Sequence, residues 1–78
     1  MRKKEMKLVI TFHTTADAMA LEKCCKDRGC PGRLIPVPRT ISAGCGMAWC
    51  TDEMLESEFR KLLSEEGIDS DGIYHCLI

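Results

Sequence analysis

Polar and apolar positions first fall into register over residues 7–13. Leu8, Ile10 and Phe12 alternate with Val9, Thr11 and His13. Alternation with period two predicts a strand, and apolar residues on both of its sides predict a place near the centre of a sheet. Thr14-x-x-Asp17 follows as a capping box, in which a hydroxyl and a carboxylate satisfy the first free backbone donors of a helix. Ala18, Leu21 and Cys25 then recur at helical spacing, predicting a helix over 15–28 that Gly29 stops. Leu34, Ile35 and Val37 predict a second strand over 32–37. Pro36 and Pro38 lack amide donors and confine it to a sheet edge. A third, short strand is expected over 46–50 around Met47 and Trp49. Thr51-Asp52-Glu53 reads as a second helix start, with Leu55, Phe59 and Leu62 as its apolar stripe up to Gly67. A turn over 69–72 leads to a closing strand over 73–78, whose terminal apolar residues predict a packed C-terminus.

The order strand, helix, strand, strand, helix, strand, with a short link between the middle strands, is the split βαβ pattern. It predicts an α+β, ferredoxin-like sandwich: a four-stranded antiparallel sheet with two helices on one face. At 78 residues the chain is expected to be a single domain, 1–78, near the size at which one core is only just sufficient. Apolar residues make up 45% of it and the net charge is -1, which argues against disorder and gives no electrostatic basis for binding nucleic acid. The basic start Met1-Arg2-Lys3-Lys4 is followed by Glu5 and by no apolar run of signal-peptide or membrane-spanning length, so a cytoplasmic protein with no membrane contact is expected. In that compartment the six cysteines are expected to be thiols. None stands in the C-x2-C spacing of structural zinc sites; the closest spacings are Cys24-Cys25, Cys25-x4-Cys30 and Cys45-x4-Cys50. No metal ligand set and no cofactor is read from them.

One cysteine is set apart. Cys45 stands between Gly44 and Gly46, after Pro38-Arg39-Thr40-Ile41-Ser42-Ala43, in the link between two strand-like runs. Flanking glycines remove bulk and free the backbone, so a partner can approach the sulfur closely. Arg39 favours its thiolate electrostatically. The competing reading is a glycine-rich hairpin loop whose cysteine is incidental. In the predicted topology the end of the first strand lies beside the start of the third, which brings His13 toward Cys45. The positive end of the first helix, with free amides near Thr14, Thr15 and Ala16, points to the same rim. His13 reads either as a base for the thiol or as a hydrogen-bonding cap on the strand end, and Ser42 as an anion donor or a turn residue. Cys30, Cys50 and Cys76 are expected to gather at the opposite rim, as a metal or redox cluster or as small apolar filler. Cys24-Cys25 reads as core filling, His75 as structural, and Glu53, Glu56 and Glu58 as a solvated helix face.

The run Ile10-Thr11-Phe12-His13-Thr14-Thr15, the helix with Ala18, Ala20, Glu22 and Lys23, and Arg33-Leu34-Ile35-Pro36-Val37-Pro38-Arg39-Thr40-Ile41-Ser42 through Cys45-Gly46 resemble the small bacterial selenium/sulfur carrier-like family. Within it the segment Pro-Arg-x-Ile-Ser-x-x-Cys-Gly matches Pro38, Arg39, Ile41, Ser42, Cys45 and Gly46. The resemblance implies that Cys45 carries sulfur or selenium. Cys24-Cys25 departs from the paired aliphatic residues expected there. The resulting expectation is a carrier rather than a turnover enzyme, with Cys45 as persulfide-type acceptor, His13 and Arg39 activating it, and Ser42, Gly44, Gly46, Thr14 and Thr15 shaping an anion site. Its partners would be a sulfur or selenium donor and an acceptor protein. The alternatives are a non-catalytic interaction module, for which the doubly apolar strands permit a homodimer, and a metal-binding or redox-sensing domain using Cys30, Cys50 and Cys76.

Overall fold

A computed structural model describes residues 5–38, 41 and 46–77. Strand β1 (Met6–Thr11) leads into helix α1 (Thr15–Arg28), then strands β2 (Arg33–Pro36) and β3 (Met47–Asp52). A 3-10 turn (Glu53–Leu55), helix α2 (Glu56–Glu66) and strand β4 (Gly72–Leu77) follow. The strands form one antiparallel sheet in the order β2-β3-β1-β4. β1 is central, as its two apolar sides require, and the proline-bearing β2 is an edge.

Register explains the layers. Ile10 lies opposite Trp49 and Ile73, and Leu8 opposite Thr51 and His75, so these side chains share one face. Leu8, Ile10 and Trp49 on that face join Ala18, Leu21 and Cys25 of α1 and Phe59, Leu62 and Leu63 of α2 in a single core. The opposite parity, with Val9, Thr11, Ala48 and Cys50, belongs to the other face. The α1 stripe read from the sequence is the set of residues that α1 buries. Both helices end alike: Gly29 (φ +74°) and Gly67 (φ +64°) take the left-handed conformation. The next amides, of Cys30 and Ile68, donate back to the carbonyls of Cys25 and Leu63 at 2.9 and 3.0 Å.

Three predicted boundaries move by more than one residue. β1 stops at Thr11 instead of His13: Phe12 is drawn into the core, and the Thr11 carbonyl accepts the Asp71 amide at 2.7 Å where the chain turns toward α1. β3 runs on through Thr51 and Asp52, read earlier as a helix start. These residues pair with Leu8 and Lys7, and the Thr51 hydroxyl donates to the Pro31 carbonyl at 3.0 Å. Asp52 still caps, accepting the Met54 amide at 3.0 Å, but it starts the 3-10 turn, and α2 begins only at Glu56. The packed C-terminus does not hold either. Leu77 is 57% exposed and pairs with the exposed Met6 at the end of an edge strand, past the reach of the helices; Ile78 lies outside the described residues.

Candidate functional site

The Thr11↔Ala48 register sets the end of β1 beside the start of β3. The chain leaving β1 at His13 and the chain arriving at Gly46 therefore border the same rim, where α1 also begins. β2 closes this rim from the side, the Val37 amide donating to the Gly46 carbonyl at 3.1 Å, and the Ile41 amide donates to Pro38 at 2.9 Å. Gly46 has φ +75° and open space where a Cβ would stand, so glycine is required there by backbone conformation and not by crowding. Arg39, Ser42, Gly44 and Cys45 lie outside the described residues.

His13 is exposed, and its Nδ1 stands 3.5 Å from the Asp71 carboxylate, in the turn that feeds β4. Asp71 escaped the sequence reading. Its signal was the 69–72 turn, which β1–β4 pairing carries to this rim. The Thr14 hydroxyl is engaged with Asp17, accepting its amide at 3.3 Å and donating to its carboxylate at 2.9 Å. It is therefore committed to capping, and Thr14 can meet an anion only through its backbone amide. Thr15 is exposed at the first turn.

The other thiols divide between the two faces of the sheet. Cys30 packs against the helix-side core. Cys50, opposite Val9, and Cys76, opposite Lys7, lie on the other face. The expected Cys30, Cys50 and Cys76 cluster is thus split by the sheet, because strand alternation sends Cys50 away from Trp49 and the helices. Among the described residues no group of three or more His, Cys, Asp or Glu could hold a metal. Burial pushes the Cys25 thiol up to about 12, with its neighbour Cys30 adding to the effect. Burial also raises Cys24, helped by its hydrogen bond to Glu66 (Sγ to Oε1, 3.3 Å), and Cys76, helped by Cys50. At neutral pH these three are protonated and poor nucleophiles.

A cavity of about 270 Å³ opens at the far end of α1, lined by Arg28, Cys30, Pro31, Phe59, Lys61 and Leu62 among others. It is remote from the His13–Gly46 rim. His75 spends both ring nitrogens on carboxylates, Nε2 on Glu56 at 2.7 Å and Nδ1 on Glu53 at 3.4 Å, fastening β4 to the start of α2.

The β2-β3-β1-β4 antiparallel sheet with its two helices defines a ferredoxin-like α+β domain, and the motif loop between β2 and β3 departs from and returns to its His13 rim. This architecture hosts unrelated functions and does not by itself name one. The family described as "Putative Se/S carrier protein-like" matches residues 7–75, nearly the whole chain, and the chain belongs to that family. No curated protein and no solved structure matches it. Among the described residues no helix is long and apolar enough to cross a membrane.

Proposed function

We propose that this protein carries sulfur or selenium, with Cys45 holding the chalcogen as a persulfide-type adduct between a donor and an acceptor protein. The observation that carries the reading is membership of the Se/S carrier family across residues 7–75, a span that includes the glycine-flanked Cys45. The raised pKa of Cys24, Cys25 and Cys76 supports it by making those thiols poor competitors for the cargo. In the loading step the Cys45 thiolate attacks the outer sulfur of a donor persulfide, R–S–S–H. The donor S–S bond breaks, R–S⁻ leaves and takes up a proton, and a new S–S bond forms on Cys45. Selenium transfer follows the same bookkeeping with one atom exchanged.

His13, oriented by Asp71, takes the Cys45 proton. Arg39 and the amides at Thr14 and Thr15 stabilise the anionic adduct, Ser42 shapes the loop, and Gly44 and Gly46 leave the sulfur open to a partner. A one-atom cargo needs no deep pocket, which agrees with a rim remote from the cavity. The test is incubation of the reduced full chain with a small-molecule persulfide carrying labelled sulfur, followed by intact-protein and peptide mass spectrometry. One added sulfur on the Cys45 peptide, absent from Cys45→Ala, is the expected result. Equal uptake by Cys45→Ala overturns the reading.

A further inference from the structure

Helix α1 ends on a cysteine pair that the carrier chemistry does not use. The Cys30 amide donates to the Cys25 carbonyl at 2.9 Å across the left-handed Gly29. In this type of helix end the side chains of the two residues so joined frequently pack against each other. Here both side chains are thiols, Cys25 inside the core and Cys30 packed against it. With a 2.9 Å hydrogen bond linking their backbones, standard bond lengths hold the two Cα atoms within about 6.8 Å, inside the range that a disulfide spans. The pair is also unequal. Cys25 is 1% exposed, whereas Cys30 is half-buried and lines the cavity between the end of α1 and α2.

From this geometry we infer that Cys25 and Cys30 form a dithiol redox site, which low-molecular-weight disulfides oxidise to an intramolecular disulfide through the cavity-lining Cys30. The Cys30 thiolate attacks one sulfur of the oxidant R–S–S–R, giving a Cys30–S–S–R mixed disulfide and releasing R–S⁻. Cys25 then loses its proton and attacks the Cys30 sulfur, releasing the second R–S⁻. The protein gives up two electrons and two protons, and the oxidant leaves as two R–SH. Burial keeps Cys25 protonated, so closure, though intramolecular and faster than the first attack, accelerates as pH rises. The disulfide joins the last turn of α1 to the segment entering β2, at the end of the helix opposite Thr14 and Thr15.

The site is independent of the carrier reading and is tested in a Cys45→Ser background, so that either can fail alone. The reduced full chain is incubated with glutathione disulfide, blocked with N-ethylmaleimide and digested with trypsin. The expected product is residues 24–26 linked to residues 29–33. Because both Cys24 and Cys25 lie in the first peptide, Cys24→Ala decides between them, and the link must survive it. Cys25→Ala must lose the link and retain glutathione on Cys30, an adduct the parent does not accumulate. Cys30→Ser, a change at the half-buried partner, must lose the link without placing glutathione on Cys25. Absence of the linked peptide in the parent, its loss in Cys24→Ala, or a lasting Cys30 adduct in the parent overturns the proposal.

Discussion

Gly32 offers a quantitative test of how β2 is attached to the sheet. Its φ is +127°, and a Cβ built there would stand 2.5 Å from Trp49 Nε1, 2.7 Å from the Cys50 carbonyl oxygen and 2.8 Å from Trp49 Cε2. Two independent terms oppose Gly32→Ala. Holding a residue with a Cβ in a sparsely populated backbone region costs about 1–3 kcal/mol. Forcing a methyl into filled space costs about 1–3 kcal/mol more, because the obstacles are a buried indole and a backbone carbonyl, neither of which can swing away as a surface side chain does. The sum, roughly 2–6 kcal/mol, is a large share of the ~4–12 kcal/mol expected for a domain of 78 residues. Gly29→Ala is the control. It also sits at positive φ (+74°) but meets nothing within 4 Å, so only the left-handed penalty of about 1–2 kcal/mol applies.

Urea unfolding followed by far-UV circular dichroism measures both variants. The expected order is Gly32→Ala well below Gly29→Ala, and both below the parent. A double-mutant cycle sharpens it. Trp49 Nε1 is buried and finds no hydrogen-bond acceptor among the described residues, so Trp49→Leu sacrifices no hydrogen bond while removing both indole atoms that a Cβ at residue 32 would strike. Gly32→Ala should therefore cost about 1 kcal/mol less in the Trp49→Leu background than alone. Equal costs for the two glycine variants, or strict additivity in the cycle, would refute the reasoning.

Three other outcomes are expected. Thr14→Ala removes the hydroxyl that caps α1 through Asp17 and should lower stability by about 1 kcal/mol in the same urea assay; no change would mean that the cap contributes nothing in solution. The hydrogen bond that His75 donates to Glu56 raises the His75 pKa above 6.5, and the bonds donated by Arg60 first and His75 second lower that of Glu56 below 4.5. Stabilisation through the raised imidazole is fully present below pH 6.5 and lost as pH climbs through the raised value, while that through Glu56 is present above pH 4.5 and lost as pH falls through the lowered value. The parent's advantage over His75→Gln should thus peak between these limits, remain small and shrink with salt; an advantage that grows toward alkaline pH contradicts the pairing. Finally, with Cys25 raised from 9.0 to about 12, its contribution is intact below pH 9 and lost as pH rises toward 12. Thermal unfolding at about pH 8 and about pH 10 should show a larger alkaline loss for the parent than for Cys25→Ala, and equal losses would contradict the burial assigned to this thiol.

Local chemistry made some elements readable from sequence and left others hidden. α1 was legible because its cap, its stripe and its glycine stop all lie within one stretch and agree. β2 was legible as an edge because proline cannot complete a ladder on both sides. The end of β3 was not. Thr51 and Asp52 have the composition of a helix start, and only pairing with Leu8 and Lys7, distant in the chain, holds them extended. The rim followed from topology alone, since the βαββαβ order sets the end of β1 beside the start of β3. The His13–Asp71 contact did not, because it depends on where the turn before β4 lands. The grouping of Cys30 with Cys50 and Cys76 treated a rim as a point. Alternation along β3 already opposes Cys50 to Trp49, and the sheet between them is a wall.

That wall bears on how one small chain can hold several thiols without confusing them. A thiol reacts as its thiolate, and burial penalises the charged form, so a cysteine used as core filling is silenced by the same desolvation that stabilises the fold. Cys25 shows the effect most strongly, as the most deeply buried of the described cysteines. Its partner Cys30 reaches the cavity only because the Gly29 turn carries the chain off the helix axis before β2 begins. Gly46, which ends the link that carries the motif cysteine, lies by contrast at the rim where α1 begins. That rim and the Cys25–Cys30 turn are separated by the length of α1, whose fourteen residues span roughly 21 Å. Two elements join these ends directly: α1, through how firmly its last turn is held, and β2, which runs from the Cys30 segment to the Val37–Gly46 hydrogen bond.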